Sequence, residues 1–290
     1  MTQIIQSFSE ISGRYDAALV DLWGCMHDGV KAHPEAAAAM QEFRGKGGTV
    51  VLVTNAPRPW RSVETQIERL GIPRDSWDAI ATSGDSARTA MFNGAVGNKV
   101  WFMGEDHDMA FFEPPEIIED PAPIERVELE EADGIVCCGP FDPLVDPDVN
   151  RPQFLYAKQK GLKLLCANPD IVVDRGDTRE WCAGALAKLY TEMGGESLYF
   201  GKPHPPIYDL ARRRLSALGK DLPTDAIICI GDGIQTDVSG ARSEDYDALF
   251  ISGGLAADLT KTVDTPDETA LRSYLEKENQ APQFTIGHLR

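Results

Sequence analysis

Four groups of polar residues stand where this chain could do chemistry. Asp21 closes the apolar run Ala17-Ala18-Leu19-Val20, and Thr54 with Asn55 closes Thr49-Val50-Val51-Leu52-Val53. Lys202 follows Leu198-Tyr199-Phe200 and a glycine, and Asp232 and Asp237 follow Ala226-Ile227-Ile228-Cys229-Ile230 and a glycine. Short apolar runs closed by turn residues read as buried strands of a parallel sheet. In open parallel sheets ligands bind beyond the carboxyl ends of the strands. If these strands are neighbours, the four groups meet on one edge. Two or three carboxylates with waters make a hard oxygen site suited to Mg²⁺. A lysine and a Thr-Asn turn beside it suit a phosphoryl group, because metal and lysine neutralise the charge that develops during its transfer. Asp21 would then be a carboxylate nucleophile that forms an aspartyl-phosphate. Taken singly, an aspartate at a strand end is equally well a capping residue; the order of all four groups carries the reading.

The elements that must position these groups alternate between strand and helix, which argues for an α/β sheet. Ile4, Ile5, Phe8 and Ile11 predict an amphipathic helix over residues 1–15. Helices are expected over Ala36–Arg44, Trp60–Leu70 and Asp85–Phe92, with short strands between them. From about residue 97 the texture changes. Strand-like runs at 99–104, 134–138 and 163–167 are separated by loose, proline- and acid-rich passages. We read residues 84–177 as a second, smaller α/β unit inserted into a core formed by 1–83 and 178–290. A helix over Trp181–Met193, a helix over Pro206–Ala217, a last core strand at Ala248–Ile251 and one helix in a polar tail complete the expected order.

Composition bounds the partners. The 290 residues carry 28 Lys+Arg against 46 Asp+Glu, a formal charge of -18. Such a surface repels phosphate backbones, so no nucleic-acid partner is expected, and an anionic small molecule needs a local positive trap. No apolar run approaches a membrane-spanning length, so no membrane partner is expected. The first residues lack a basic region followed by an apolar stretch, which makes the cytoplasm the expected location. The six cysteines form no zinc-type pair and mostly lie inside apolar runs. They read as buried reduced thiols, Cys25 included.

The order Asp21…Thr54-Asn55…Gly201-Lys202-Pro203…Gly231-Asp232…Thr236-Asp237 resembles the haloacid dehalogenase superfamily of phosphatases. Asn168-Pro169-Asp170 and Cys182-Ala183-Gly184-Ala185-Leu186 are similar to its NagD-like sugar phosphatase branch, whose α/β cap is inserted between the second and third motifs. The resemblance implies a three-layer, Rossmann-like parallel-sheet core with that cap. It implies Mg²⁺ held by Asp21, the backbone carbonyl of Trp23 and Asp232, with Asp237 in an outer role. It also implies that Thr54 and Asn55 bind phosphate, that Lys202 pairs with Asp21 and the phosphate, and that Asn168 helps to choose substrate. The implied substrate is a small phosphorylated metabolite such as a sugar phosphate, phosphoglycolate or pyridoxal phosphate. A homodimer is compatible with it.

One position departs from the pattern. The family's general acid and base is an aspartate two residues after the nucleophile, and here it is Trp23. An indole cannot transfer that proton, and loss of a positioned acid–base group costs about 10²- to 10⁴-fold in rate. Asp28 is not a shifted replacement, because Asp21 to Gly24 keeps the family spacing; His27 is a candidate substitute. A phosphate-binding protein with little turnover is the alternative reading, and dehalogenation is disfavoured by the Asp232/Asp237 pair. Arg58 is a candidate contact for substrate phosphate, against a solvated loop arginine. His204 is expected to serve the loop, and Asp170, Asp174 and Arg175 to be polar hinge residues.

Overall fold

The computed structural model describes residues 2–115 and 118–290. Its strands are β1 (Gln3–Ile4), β2 (Ala17–Val20), β3 (Thr49–Thr54), β4 (Ala79–Thr82), β5 (Lys99–Met103), β6 (Glu125–Arg126) and β7 (Gly134–Cys137). They continue as β8 (Lys163–Cys166), β9 (Val172–Arg175), β10 (Thr178–Trp181), β11 (Glu196–Tyr199), β12 (Ile227–Gly231), β13 (Asp247–Ile251) and β14 (Phe284–Ile286). The helices are α1 (Pro34–Gly45), α2 (Trp60–Leu70), α3 (Ser83–Phe92), α4 (Arg151–Lys160), α5 (Ala183–Glu192), α6 (Pro205–Ala217), α7 (Ser239–Ser243), α8 (Ala257–Thr260) and α9 (Glu268–Glu278). The chain divides into two compact units. One comprises 1–54, 64–81 and 208–290; the other comprises 55–63 and 82–207.

The first unit is built on a seven-stranded sheet in the order β1-β14-β13-β12-β2-β3-β4. The central strands β12, β2 and β3 run parallel, with Ile228 opposite Ala18 and Ala18 opposite Val50. Every residue of these three strands is buried, as a strand covered on both faces requires. Their shared direction brings the residues after Val20, the end of β3 and the residues after Gly231 to one edge. Local signals fix the flanking helices. Pro34 stands in the first turn of α1, with Glu35 in that turn and Arg44 in the last, each matching the helix dipole. Asp267 caps α9 by accepting from the Ala270 amide at 2.8 Å.

The second unit has a five-stranded parallel sheet in the order β11-β8-β7-β5-β6 and an antiparallel hairpin, β9-β10. Side chains alternate across the larger sheet. Ile135, Cys137, Leu164 and Cys166 pack with Phe154 of α4 and Leu186 and Tyr190 of α5. Val136, Leu165 and Ala167 pack with Ala87 and Met91 of α3. The unit is therefore itself three-layered, and the α/β class with an inserted domain is as expected.

Several boundaries differ from expectation. The second unit reaches Ile207 rather than ending at 177, because β11 pairs with β8 and α5 packs on that same sheet. Residues 3–14 form no α-helix: Gln3–Ile4 pairs with Phe284–Thr285, and two 3₁₀ turns follow. Ser7 and Glu10 form a capping box that starts the first of these turns. The tail is not merely polar, since β14 pairs with β13 beyond the expected last strand. The helix expected from Trp181 begins at Ala183, because Trp181 is the last residue of the β9-β10 hairpin. Within the loose, acid-rich passage between the runs at 99–104 and 134–138, residues 116–117 lie outside the described residues, and Glu125 and Arg126 form an exposed strand.

The thiols report on the second core. Burial pushes the Cys166 thiol up to about 12 and raises those of Cys137, Cys138 and Cys182 well above the ordinary range. At pH 8 the folded protein is expected to leave these four thiols unlabelled by an aromatic disulfide, and to expose them all in denaturant. Rapid native labelling at Cys166, read by peptide mass spectrometry, would contradict this core.

Candidate active site

The first unit gathers Asp21, Cys25 and Asp232 at the carboxyl edge of β2 and β12. One ligand atom from each lies within 4.8 Å of the others, and all three residues are buried. Adjacent strands create this approach: the Asp21 amide donates to the Ile230 carbonyl at 2.8 Å, two residues before Asp232. Backbone shapes the rest. Asp232 Oδ2 accepts from the Leu255 amide at 2.9 Å. Gly24 has φ +74°, and a Cβ there would lie 2.1 Å from Asp232 Oδ2. Glycine is thus required at 24 both for conformation and for the close approach.

Two buried carboxylates this close repel unless a countercharge joins them. Their oxygens are hard donors on the scale of a single divalent cation's coordination sphere, so they fit a hard divalent ion. The Cys25 sulfur is a softer neighbour and less suited to such an ion. Asp237 turns inward on a π-helical turn, Ile234–Val238, and its Oδ2 accepts from the Gly233 amide at 3.1 Å and the Thr236 hydroxyl at 3.2 Å. It thereby braces the loop that carries Asp232. Thr54, the last residue of β3, is 1% exposed on the strand beside β2.

Trp23 is half-buried and packs against its own loop. Its ring lies 5.1 Å from that of His27 in an edge-on arrangement, and a Cβ on Gly29 would lie 2.3 Å from it. His27 is buried, and its Nδ1 accepts from the Gly29 amide at 3.0 Å, which leaves the proton of the neutral ring on Nε2.

The second unit gathers a different set. Asn55 Oδ1 accepts from the Lys202 amide at 2.7 Å, and Asn55 Nδ2 donates to the Lys202 carbonyl at 3.1 Å and to Asp170 Oδ1 at 2.8 Å. Lys202 is buried. Asn168 Oδ1 accepts from the Asp170 amide at 3.1 Å, so this residue shapes its own turn. Arg58 is half-buried, and burial presses its guanidinium below the ordinary arginine pKa against the opposing pull of Asp108. His204 stacks on Tyr199 at 4.7 Å and 13°, and burial lowers its pKa, in keeping with a packing role.

Two neighbours exceed what the sequence suggested. Cys25 was expected only to pack, yet it joins the carboxylate pair; its place four residues after Asp21 was the available signal. Asp170 was expected as a hinge residue, yet it binds Asn55 directly; an aspartate in a turn after an apolar strand was the hint.

Comparisons with known proteins bear on the family and the fold. Residues 18–115 match the haloacid dehalogenase-like hydrolase family, and residues 199–276 match a family described as HAD-hydrolase-like. A haloacid dehalogenase-like hydrolase from Brucella suis 1330 is 36% identical, with 99% of this chain and 100% of that one covered at a TM-score of 0.85. A possible sugar phosphatase of the HAD superfamily from Cytophaga hutchinsonii is similar in fold at 16% identity, with 99% and 98% covered and a TM-score of 0.79. So is a p-nitrophenyl phosphatase from Archaeoglobus fulgidus at 19% identity, with 94% and 96% covered and a TM-score of 0.66. No curated protein sequence matches.

The Gly24 contact is testable by stability alone. Gly24→Ala is expected to cost at least about 1–2 kcal/mol, because an L side chain in the left-handed region carries that penalty before any clash with Asp232. Gly13→Ala, with nothing within 4 Å of the added carbon, is the control and should change stability by less than about 0.5 kcal/mol. Equal urea midpoints for both variants would contradict the packing described.

Proposed function

We propose, for a chain that belongs to the haloacid dehalogenase-like hydrolase family, that it is a Mg²⁺-dependent phosphatase of small phosphorylated metabolites. The observation that carries this reading is the buried Asp21/Asp232 pair at the carboxyl edge of adjacent parallel strands. The relatives described as sugar and p-nitrophenyl phosphatases support phosphoric monoesters as the substrate class. Sugar phosphates, phosphoglycolate and pyridoxal phosphate are the types to try first. A homodimer is part of the same reading.

Asp21, Asp232 and the Trp23 carbonyl would hold Mg²⁺, with Asp237 steadying the Asp232 loop. When bound, the ion would neutralise the carboxylate pair and polarise a phosphoryl oxygen. An Asp21 oxygen attacks phosphorus; a P–O bond forms to the carboxylate while the bond to the ester oxygen breaks. Water then attacks the aspartyl-phosphate, which releases inorganic phosphate and regenerates the carboxylate. Thr54, Lys202 and the turn at Asn55 would take up the phosphate, with Arg58 and Asn168 toward the substrate. The leaving oxygen needs a proton that Trp23 cannot give, so good leaving groups should react best. That same indole favours the second reading, a phosphate-ligand-binding protein with little turnover.

With p-nitrophenyl phosphate and Mg²⁺, Asp21→Asn is expected to lower kcat by about 10³-fold or more. Unchanged steady-state hydrolysis would remove Asp21 as nucleophile, and tight phosphate binding by the wild type with no product over hours would favour the binder. Trp23→Asp should raise hydrolysis of alkyl phosphates by about 10²-fold and of p-nitrophenyl phosphate much less. An equal effect on both substrates would refute the missing-acid explanation.

A further inference from the structure

The side chain of Asn55 is already engaged. An amide offers two donor hydrogens and one acceptor oxygen. Both hydrogens and the oxygen are committed, to the Lys202 carbonyl, to Asp170 Oδ1 and to the Lys202 amide. The exchange with residue 202 resembles one rung of a sheet ladder, in which N–H and C=O are satisfied together. Its sense matters. A flipped amide would set NH₂ against the Lys202 amide and oxygen against the Lys202 carbonyl. Asp170, which as a carboxylate can only accept, selects the observed orientation.

Asp170 is anchored in turn. Its amide donates to Asn168 Oδ1 at 3.1 Å, and its carbonyl accepts from the Gly184 amide at 3.1 Å at the start of α5. The enclosure is tight on the other side as well. A Cβ on Gly201 would lie 2.4 Å from Asn55 Oδ1 and 2.6 Å from Ser83 Oγ. Asn55 is 2% exposed and Lys202 3%.

We infer that Asn55 and Asp170 are positioning residues that clamp the Lys202 backbone, and that the Asn55 side chain does not itself take up phosphate. This rests on the phosphatase reading for its catalytic consequence but not for its geometry. A lysine carries about 2 kcal/mol of rotamer entropy on a flexible stem. Where its ammonium sits therefore depends on a fixed Cα. A displacement of about 1 Å at such a group costs about 10²-fold in rate.

The test uses the full chain with Asn55→Ala, Asp170→Ala, Asp170→Asn and the double alanine variant. Hydrogen exchange at the Lys202 amide reads the clamp, and kcat and KM for p-nitrophenyl phosphate with Mg²⁺ read its consequence. Either alanine variant is expected to speed Lys202 exchange by about 10- to 100-fold. Each should lower kcat by about 10²-fold with KM changed less, and the double variant should be no worse than the more severe single one. Asp170→Asn keeps an acceptor oxygen and should recover most of both. If Asn55→Ala does not fold, the two Asp170 variants carry the test. Wild-type exchange and kcat in Asp170→Ala, or losses that multiply in the double variant, would overturn the clamp. An exchange response in a protein that hydrolyses nothing would uphold the clamp and reject the phosphatase reading.

Discussion

Two aspartates from adjacent strands are pressed together where water is largely excluded, and the first unit is arranged around tolerating that. Asp21 and Asp232 are 8% and 6% exposed, and glycine at position 24 leaves room for the Asp232 carboxylate. A buried like-charge pair is costly unless a cation or a proton neutralises it. The surrounding fold stabilises the arrangement by burying every residue of β2, β3 and β12, so the strand ends have little freedom to separate. Asp237 extends the same logic. It accepts hydrogen bonds from Gly233 and Thr236 beside it, which makes it a brace for the Asp232 loop.

The central strands were legible because they are buried on both faces and so read as unbroken apolar runs. Asp21, Thr54 and Asp232 could be placed from those runs alone. What failed was pairing at the margins. Gln3–Ile4 and Phe284–Ile286 are too short to show a period, and their pairing joins opposite ends of the sequence. The β9-β10 hairpin shows no apolar alternation, since Asp174-Arg175 and Arg179-Glu180 put charged residues side by side, with Gly176 at φ +58° marking its turn. Leu198-Tyr199-Phe200 was recognisable as strand-like, but nothing local tells a strand which sheet it joins; the pairing of Glu196–Tyr199 with β8 moved the division of the chain from 177 to 207.

The candidate site was legible as residue types and less so as roles. Asn55 looked like a phosphate ligand because it follows Thr54, yet its amide is spent on Lys202 and Asp170. Asp170 looked like a hinge residue because it lies near the expected end of the inserted unit. Spacing shows which residues arrive near one another, whereas hydrogen-bond saturation shows which remain available to a ligand. Trp23 illustrates the converse. Its identity alone excludes proton transfer, and the structure adds that it is packed against His27 and Gly29. Replacing it therefore alters packing as well as chemistry.

The Asp21/Asp232 pair is proposed to hold a divalent cation. Calorimetric titration of metal-free protein with Mg²⁺, repeated on Asp232→Ala, tests it most directly. Saturable binding of one ion per chain, lost in the variant, is the expected result. Undiminished binding by Asp232→Ala, or no binding by the wild type, would contradict it.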